Sequence, residues 1–211
     1  MYTQQLKQTI RQLELNNFEV HLAFDAEEAY GVFKDTILSK LDVKSASYGD
    51  SLTLKKTGVL DLLRNDETIT FIETFDKEAS REENIENRRQ ALLTDLFVTG
   101  TNAITEAGQL VNLDMVGNRI GGITFGPKNV VLFIGINKIV ENLDAAFKRI
   151  RTIAAPMNMK AHEGLNTPCQ KTGECHNCHS EHRICNTWTI TEKSYPKKRV
   201  KIILIDEKLG Y

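Results

Sequence analysis

The apolar residues of this chain recur with two periods that alternate along its length. Residues 2–16 set Leu6, Ile10 and Leu13 on one face of a helix, at the 3.6-residue period. FEVHLAF (18–24) switches to period two, so Phe18, Val20, Leu22 and Phe24 share one side of a strand. Asp25 follows as a helix N-cap with Glu28 three residues on, the spacing of a capping box. Ala29, Phe33, Ile37 and Leu41 extend the apolar face of that helix. The pattern then predicts a strand at 43–47, a helix at 58–65 and a strand at 68–75. A charged helix is expected over 78–94, its apolar positions mainly Ile85, Leu92 and Leu93.

DLFVTGTNAIT (95–105) reads as a strand running into a loop. Ile104–Thr105–Glu106 and Gln109–Leu110–Val111 flank Ala107–Gly108 as a hairpin, because glycine supplies the positive φ of a tight turn. GNRIGGITFGP (117–127) is rich enough in glycine to read as a loop. NVVLFIGI (129–136) is nearly all apolar, as expected of a strand covered on both faces. Residues 141–154 predict a helix with Leu143, Ala146, Phe147, Ile150 and Ala154 on one face and Pro156 just past its end. Strands at 187–191 and 199–206 close the chain.

This alternation predicts one α/β domain over 1–211, a largely parallel sheet with helices on both faces. Residues 1–42 form its N-terminal helix–strand–helix portion, and the tail adds a hairpin and an irregular cysteine loop at 156–186.

Composition narrows the partners. Lys plus Arg number 27 and Asp plus Glu 28, a net charge of −1. No global field draws such a chain to nucleic acid. The basic run Lys197–Lys198–Arg199 reads as a solvated turn. No run of 18 apolar residues exists for a membrane helix, and the polar-rich start is unlike a signal peptide. The expected location is the cytoplasm, where thiols stay reduced.

All four cysteines, Cys169, Cys175, Cys178 and Cys185, fall within 17 residues. Clustering of this kind points to a metal site rather than to disulfides. Four convergent thiolates suit a tetrahedral zinc ion or the corners of an iron–sulfur cubane. One Cys-x-x-Cys pair with outer cysteines at odd distances favours the cluster, because structural zinc commonly uses two such pairs. His176, His179 and His182 interleave the cysteines and keep zinc open as the alternative.

A second polar constellation is expected at strand ends, where open α/β sheets bind ligands. Gly49, Asp50 and Ser51 follow one strand. Asn102, Thr105 and Glu106 surround the hairpin, and Asn118 and Arg119 lie in the glycine-rich segment. Together they would suit a small carboxylate or phosphate, with Arg119 as its bidentate partner. No G-x-G-x-x-G follows a strand and opens a helix, so a hydride carrier has no fingerprint here.

GDSLTL (49–54), TNAITEAGQLVNLD (101–114), GNRIGGITFGPKNVVLFIG (117–135), NLDAAFKRIRTIAAPMN (142–158), the cysteine segment 167–186 and the ending IILIDEKLGY resemble the LUD-domain family, named for lactate utilisation. The resemblance implies a Rossmann-like three-layer sandwich of the sugar-phosphate isomerase and CoA-transferase type. It also implies association with lactate oxidation to pyruvate beside other iron–sulfur proteins. Members with this four-cysteine tail look like 4Fe–4S binders, which assigns the cluster to Cys169, Cys175, Cys178 and Cys185 and makes the chain an electron-transfer or accessory subunit. Glu106–Ala107–Gly108 resembles in kind the Glu-x-Gly nucleophile of family I CoA-transferases, so an enzyme acting on a small carboxylate or acyl substrate is the alternative, with a structural zinc protein as another.

Overall fold

Six parallel strands form the centre of the molecule, a computed structural model that describes residues 4–162 and 164–211. They are β1 (Glu19–Ala23), β2 (Ser45–Tyr48), β3 (Thr70–Ile72), β4 (Leu96–Thr99), β7 (Asn129–Gly135) and β10 (Val200–Ile205). Their spatial order is β1-β10-β7-β4-β2-β3, and every neighbouring pair is parallel. The fold is therefore the expected mixed α/β sandwich.

The alternation of side chains along β7 and β10 feeds two cores. Val131, Phe133, Ile203 and Ile205 pack on one face with Ala29, Phe33 and Ile37 and with Leu54, Leu60 and Leu63. The first three lie on α2 (Ala26–Gly31) and its π-helical continuation Val32–Ile37, the others on α3 (Leu52–Lys56) and α4 (Val59–Asn65). Val130, Leu132, Ile134, Ile202 and Leu204 pack on the other face with Leu6 and Leu13 of α1 (Gln4–Leu15). Burial on both faces is why these strands read as continuous apolar runs. Removing these side chains from water is the main force holding the layers together.

A second sheet covers part of that face. Its order is β8 (Ile139–Val140), β5 (Ala103–Thr105), β6 (Leu110–Asp114) and β9 (Thr187–Thr191). The hairpin β5–β6 is antiparallel, as read from Ala107–Gly108, with Gly108 at φ +76°. Ile104 and Leu110 face the large sheet, while Ala103, Val111 and Leu113 pack against Ala146 and Ile150. Ala146 lies on α7 (Leu143–Arg149).

Four elements differ from the sequence reading. DLFVTGTNAIT is two strands in two sheets, parted at Gly100. The two tail strands also part company: β9 pairs with β6, while β10 enters the large sheet between β1 and β7. GNRIGGITFGP holds a helix, α6 (Asn118–Thr124); its glycines serve packing, since a Cβ on Gly122 would meet the Phe97 ring at 2.7 Å. Finally, Pro156 does not end its helix. A π-helical turn, Ile150–Ala154, leads into α8 (Ala155–Lys160), which contains the proline. The wider turn shifts the hydrogen-bond ladder, with the Ala155 N–H reaching the Ile150 carbonyl, so a residue without an N–H fits the first turn that follows.

Candidate functional site

The cysteine segment leaves α8, crosses the short helix α9 (Pro168–Thr172) and turns at Gly173, whose φ of +79° gives the sharp reversal. All four cysteines are free and half-buried. They line one cavity with Ala155, Pro156, Met159, Thr167, Arg183 and Ile184. Arg183 fixes the shape of the loop: Nη1 donates to the Cys178 carbonyl at 2.5 Å, Nε to the Cys185 carbonyl at 2.8 Å and Nη2 to Asn177 Oδ1 at 3.0 Å. Donors also point at sulfur. The Asn177 N–H lies 3.5 Å from Cys175 Sγ and Arg151 Nη1 lies 3.9 Å from the same sulfur; Thr167 Oγ1 and Cys169 Sγ share a 3.2 Å hydrogen bond in which either atom can donate. Burial first, then the neighbouring Cys175, push the Cys185 thiol up to about 11.

Two of the three histidines of this loop bond within it. His176 Nε2 lies 2.8 Å from Thr172 Oγ1, and His182 Nδ1 accepts the Asn166 N–H at 2.8 Å. A zinc ion needs ligand atoms about 2.0–2.3 Å away. Among the described residues no three His, Cys, Asp or Glu side chains are grouped closely enough to hold a metal ion.

The second constellation lies where the strand order reverses. From β2 the chain steps outward to β3; from β4 it steps the other way, to β7 and β10. Loops leaving β2 and β4 therefore stand at the switch point of the sheet, the crevice position where open α/β sheets bind ligands. Gly49–Asp50–Ser51 leaves β2 and Gly100–Thr101–Asn102 leaves β4. The two are tied together by Gly49 N to the Val98 carbonyl (3.0 Å) and Thr99 Oγ1 to the Gly49 carbonyl (3.1 Å). The approach is close: a Cβ on Gly100 would meet Ser51 Oγ at 2.5 Å, and one on Gly49 would meet Arg119 Cγ at 2.9 Å. Ser51 itself caps α3, its Oγ accepting the Leu54 N–H.

Arg119 sits behind this crevice, 9% exposed. Nε donates to Asp114 Oδ2 (3.1 Å), Nη1 to the Gly100 carbonyl (3.2 Å) and Asn112 Oδ1 (2.6 Å), and Nη2 to Asn102 Oδ1 (2.9 Å) and the Leu113 carbonyl (3.0 Å). These acceptors take all five N–H groups of a guanidinium. The expected role as anion fork is therefore replaced by a structural one: Arg119 locks the β4–β5 turn to β6 and α6.

The expected residues converge only in part. Gly49, Ser51, Asn102 and Arg119 meet at the crevice, and Asn118 opens α6 beside them. Thr105 and Glu106 lie at the far end of β5. Thr105 Oγ1 bonds Gln109, and Glu106 Oε1 accepts from Gln5 of α1 at 2.7 Å on an exposed surface. That is not the dry pocket a carboxylate nucleophile needs.

Three cations were missed. Lys138 follows β7, is 5% exposed, and donates to Thr53 Oγ1 and the Thr101 carbonyl, each at 3.2 Å. Burial, reinforced by Arg149 and Arg119, pulls its ammonium down to about 7. Arg149 of α7 donates to the Asn102 and Asn137 carbonyls at 2.8 and 3.2 Å. Arg88, on α5 (Arg81–Gln90), stacks over the Phe75 ring at 4.5 Å and donates Nε to the Thr74 carbonyl at 3.1 Å. Position after a strand could have flagged Lys138. Nothing in the charged helix separates Arg88 from Arg81 or Arg89.

A family model described as LUD domain matches residues 6–205. The match takes in α1 and β1, for which the sequence suggested no relative. No curated protein matches the chain. The crystal structure of a DUF162 family protein from Deinococcus radiodurans is similar in fold, with a TM-score of 0.54 at 10% identity over 95% of this chain and 96% of that one. eIF2B delta from Chaetomium thermophilum aligns with a TM-score of 0.31 at 15% identity, over 67% of this chain and 53% of that one. Among the described residues no helix is long and apolar enough to cross a membrane.

Proposed function

Because the chain belongs to the LUD domain family, which is linked to lactate utilisation, we propose that it is an electron-transfer or accessory component of lactate oxidation. In this reading Cys169, Cys175, Cys178 and Cys185 hold a 4Fe–4S cluster and the partners are other iron–sulfur proteins of the same system. The observation that carries it is four free thiols lining one largely apolar cavity. The donor set suits the group, since such clusters are held by four cysteine thiolates in surroundings that limit solvent. When bound, the cluster would supply one-electron chemistry.

The chain's own residues have two tasks there. Arg183 holds the carbonyls of Cys178 and Cys185 on one guanidinium and so fixes the backbone that presents both sulfurs. Asn177 N–H and Arg151 face Cys175 Sγ, and hydrogen bonds or positive charge at a ligand sulfur favour the reduced state. His176 and His182 are engaged with the loop, which leaves the zinc alternative the four thiolates and His179. Acyl transfer through Glu106 lacks its setting, because the carboxylate accepts from Gln5 on an exposed surface.

The test is purification without oxygen, followed by iron, acid-labile sulfide and zinc analysis. The expected protein is brown, with about four irons and four sulfides per chain. One zinc per chain with neither iron nor sulfide would overturn the reading.

A further inference from the structure

After β10 the chain turns back across the carboxyl ends of its neighbours. The Asp206 N–H still bonds the Ala23 carbonyl of β1 at 2.9 Å, and Glu207 and Lys208 are exposed. Leu209 and Gly210 then lie between the turn that follows β7 and the start of α3. Two side chains grip their backbone. Asn137 Oδ1 accepts the Leu209 N–H at 3.1 Å, and Asn137 Nδ2 donates to the Gly210 carbonyl at 3.4 Å. Thr53 Oγ1 donates to the Leu209 carbonyl at 3.0 Å. Two glycines admit the segment. A Cβ on Gly135 would meet Leu209 N at 2.7 Å, and one on Gly210, at φ +68°, would meet Thr53 Oγ1 at 2.7 Å and Lys138 Nζ at 3.1 Å.

Lys138 lies under this segment, and a hydroxyl joins the two. Nζ donates to Thr53 Oγ1 at 3.2 Å. Thr53 has one hydroxyl proton, and it goes to the Leu209 carbonyl. The amine, the hydroxyl and the segment are therefore one chain of hydrogen bonds. We propose that residues 207–210 are a displaceable strap over the switch point, whose lifting exposes the Lys138 amine and the Thr53 hydroxyl together.

The strap is held lightly beside what precedes it. β10 is buried throughout and paired on both sides, whereas the strap has three side-chain bonds and one partly buried leucine at the edge of the core. Segments with few buried apolar contacts open at a fraction of the global free energy. Lifting leaves Asn137 and the Leu209 and Gly210 backbone free to bond water. It also returns hydration to Lys138, whose ammonium is pulled down to about 7, first by burial and then by Arg149 and Arg119. None of these residues belongs to the cysteine loop, so the strap and the cluster reading fail separately.

Two probes should report one opening. The first is hydrogen exchange at the Leu209 amide. The second is acetylation of Lys138 by dilute acetic anhydride at fixed pH, mapped by peptide mass spectrometry. In that reaction the amine nitrogen attacks the acyl carbon, acetate leaves and an N–H proton passes to solvent. In the wild type both should give an opening constant at least tenfold above that of the β10 amides. Asn137→Ala deletes two of the three bonds and should raise both by a similar factor, about tenfold. Gly210→Ala, pressed against Thr53 and Lys138, should act likewise from the strap side. The wild-type comparison decides even if neither variant folds. Lys138 acetylation that opens no more readily than β10, or faster Leu209 exchange with Lys138 unchanged, would overturn the proposal.

Discussion

Replacing Arg119 by methionine separates a structural guanidinium from a ligand-binding one. Methionine keeps much of the volume and removes five donors. Left behind are the Asp114 carboxylate, 9% exposed on its side chain, and the acceptors of Gly100, Asn102, Asn112 and Leu113. Removing one member of a buried ion pair costs about 3–5 kcal/mol, mostly because its partner stays buried and uncompensated. For a chain of this size each kcal/mol lowers Tm by about 2–4 °C, so a fall of roughly 6–20 °C is expected. Urea unfolding followed by circular dichroism would give the loss as a lower midpoint at unchanged slope. Adding Asp114→Asn removes the stranded charge and should recover part of the loss, the coupling a double-mutant cycle measures. A variant within about 1 kcal/mol of wild type that instead loses carboxylate binding would refute this reasoning and restore Arg119 as the anion fork.

Two further outcomes follow from burial and charge. Changing Cys169, Cys175, Cys178 and Cys185 together to serine should leave far-ultraviolet dichroism nearly unchanged, since Ile184 is the one residue between 168 and 186 among the buried hydrophobics; a cooperative loss of helix would contradict it. Lys138 gives a pH effect of fixed sign. Its folded pKa, about 7, lies below the usual lysine value near 10.5, so above pH 7 the unfolded chain binds more protons than the folded one and stability rises with pH. Between about pH 7 and 9 the urea midpoint should climb in the wild type and stay flatter in Lys138→Met; parallel curves would show that Lys138 does not titrate there.

Much of the fold was legible because local signals agreed with the tertiary environment. β7 declared itself by an apolar run buried on both faces, α2 by Asp25 accepting the Glu28 N–H, and the hairpin by Gly108. The failures have physical causes. The α6 segment looked like a loop because Gly121 and Gly122 lower helix propensity, yet tertiary packing needs Gly122 small where the Phe97 ring presses in. Arg119 looked like a ligand fork because sequence cannot reveal that Asp114, Asn112 and Asn102 surround it. Glu106 shared a motif with a nucleophile but turned to Gln5 on the surface. Lys138 and Arg88 escaped notice because their surroundings are built by neighbours far away in the chain.

The π-helical turn Ile150–Ala154 holds two distant tasks in phase. Just before it, Arg149 reaches the carbonyls of Asn102 and Asn137 at the ends of the sheets. Within it, Arg151 reaches Cys175 and stacks on Trp188 at 5.6 Å, and just after it Ala155, Pro156 and Met159 wall the cysteine cavity. A π-helical turn amounts to one extra residue in an otherwise regular helix. Deleting a residue from the regular helix on either side would rotate everything downstream by about 100°, so that Arg149 and the wall of the cysteine cavity would no longer both be met. Deleting one within the turn would remove the bulge and leave its two ends close to their present phase, so the turn is the one place in this segment where length can change without uncoupling the two tasks.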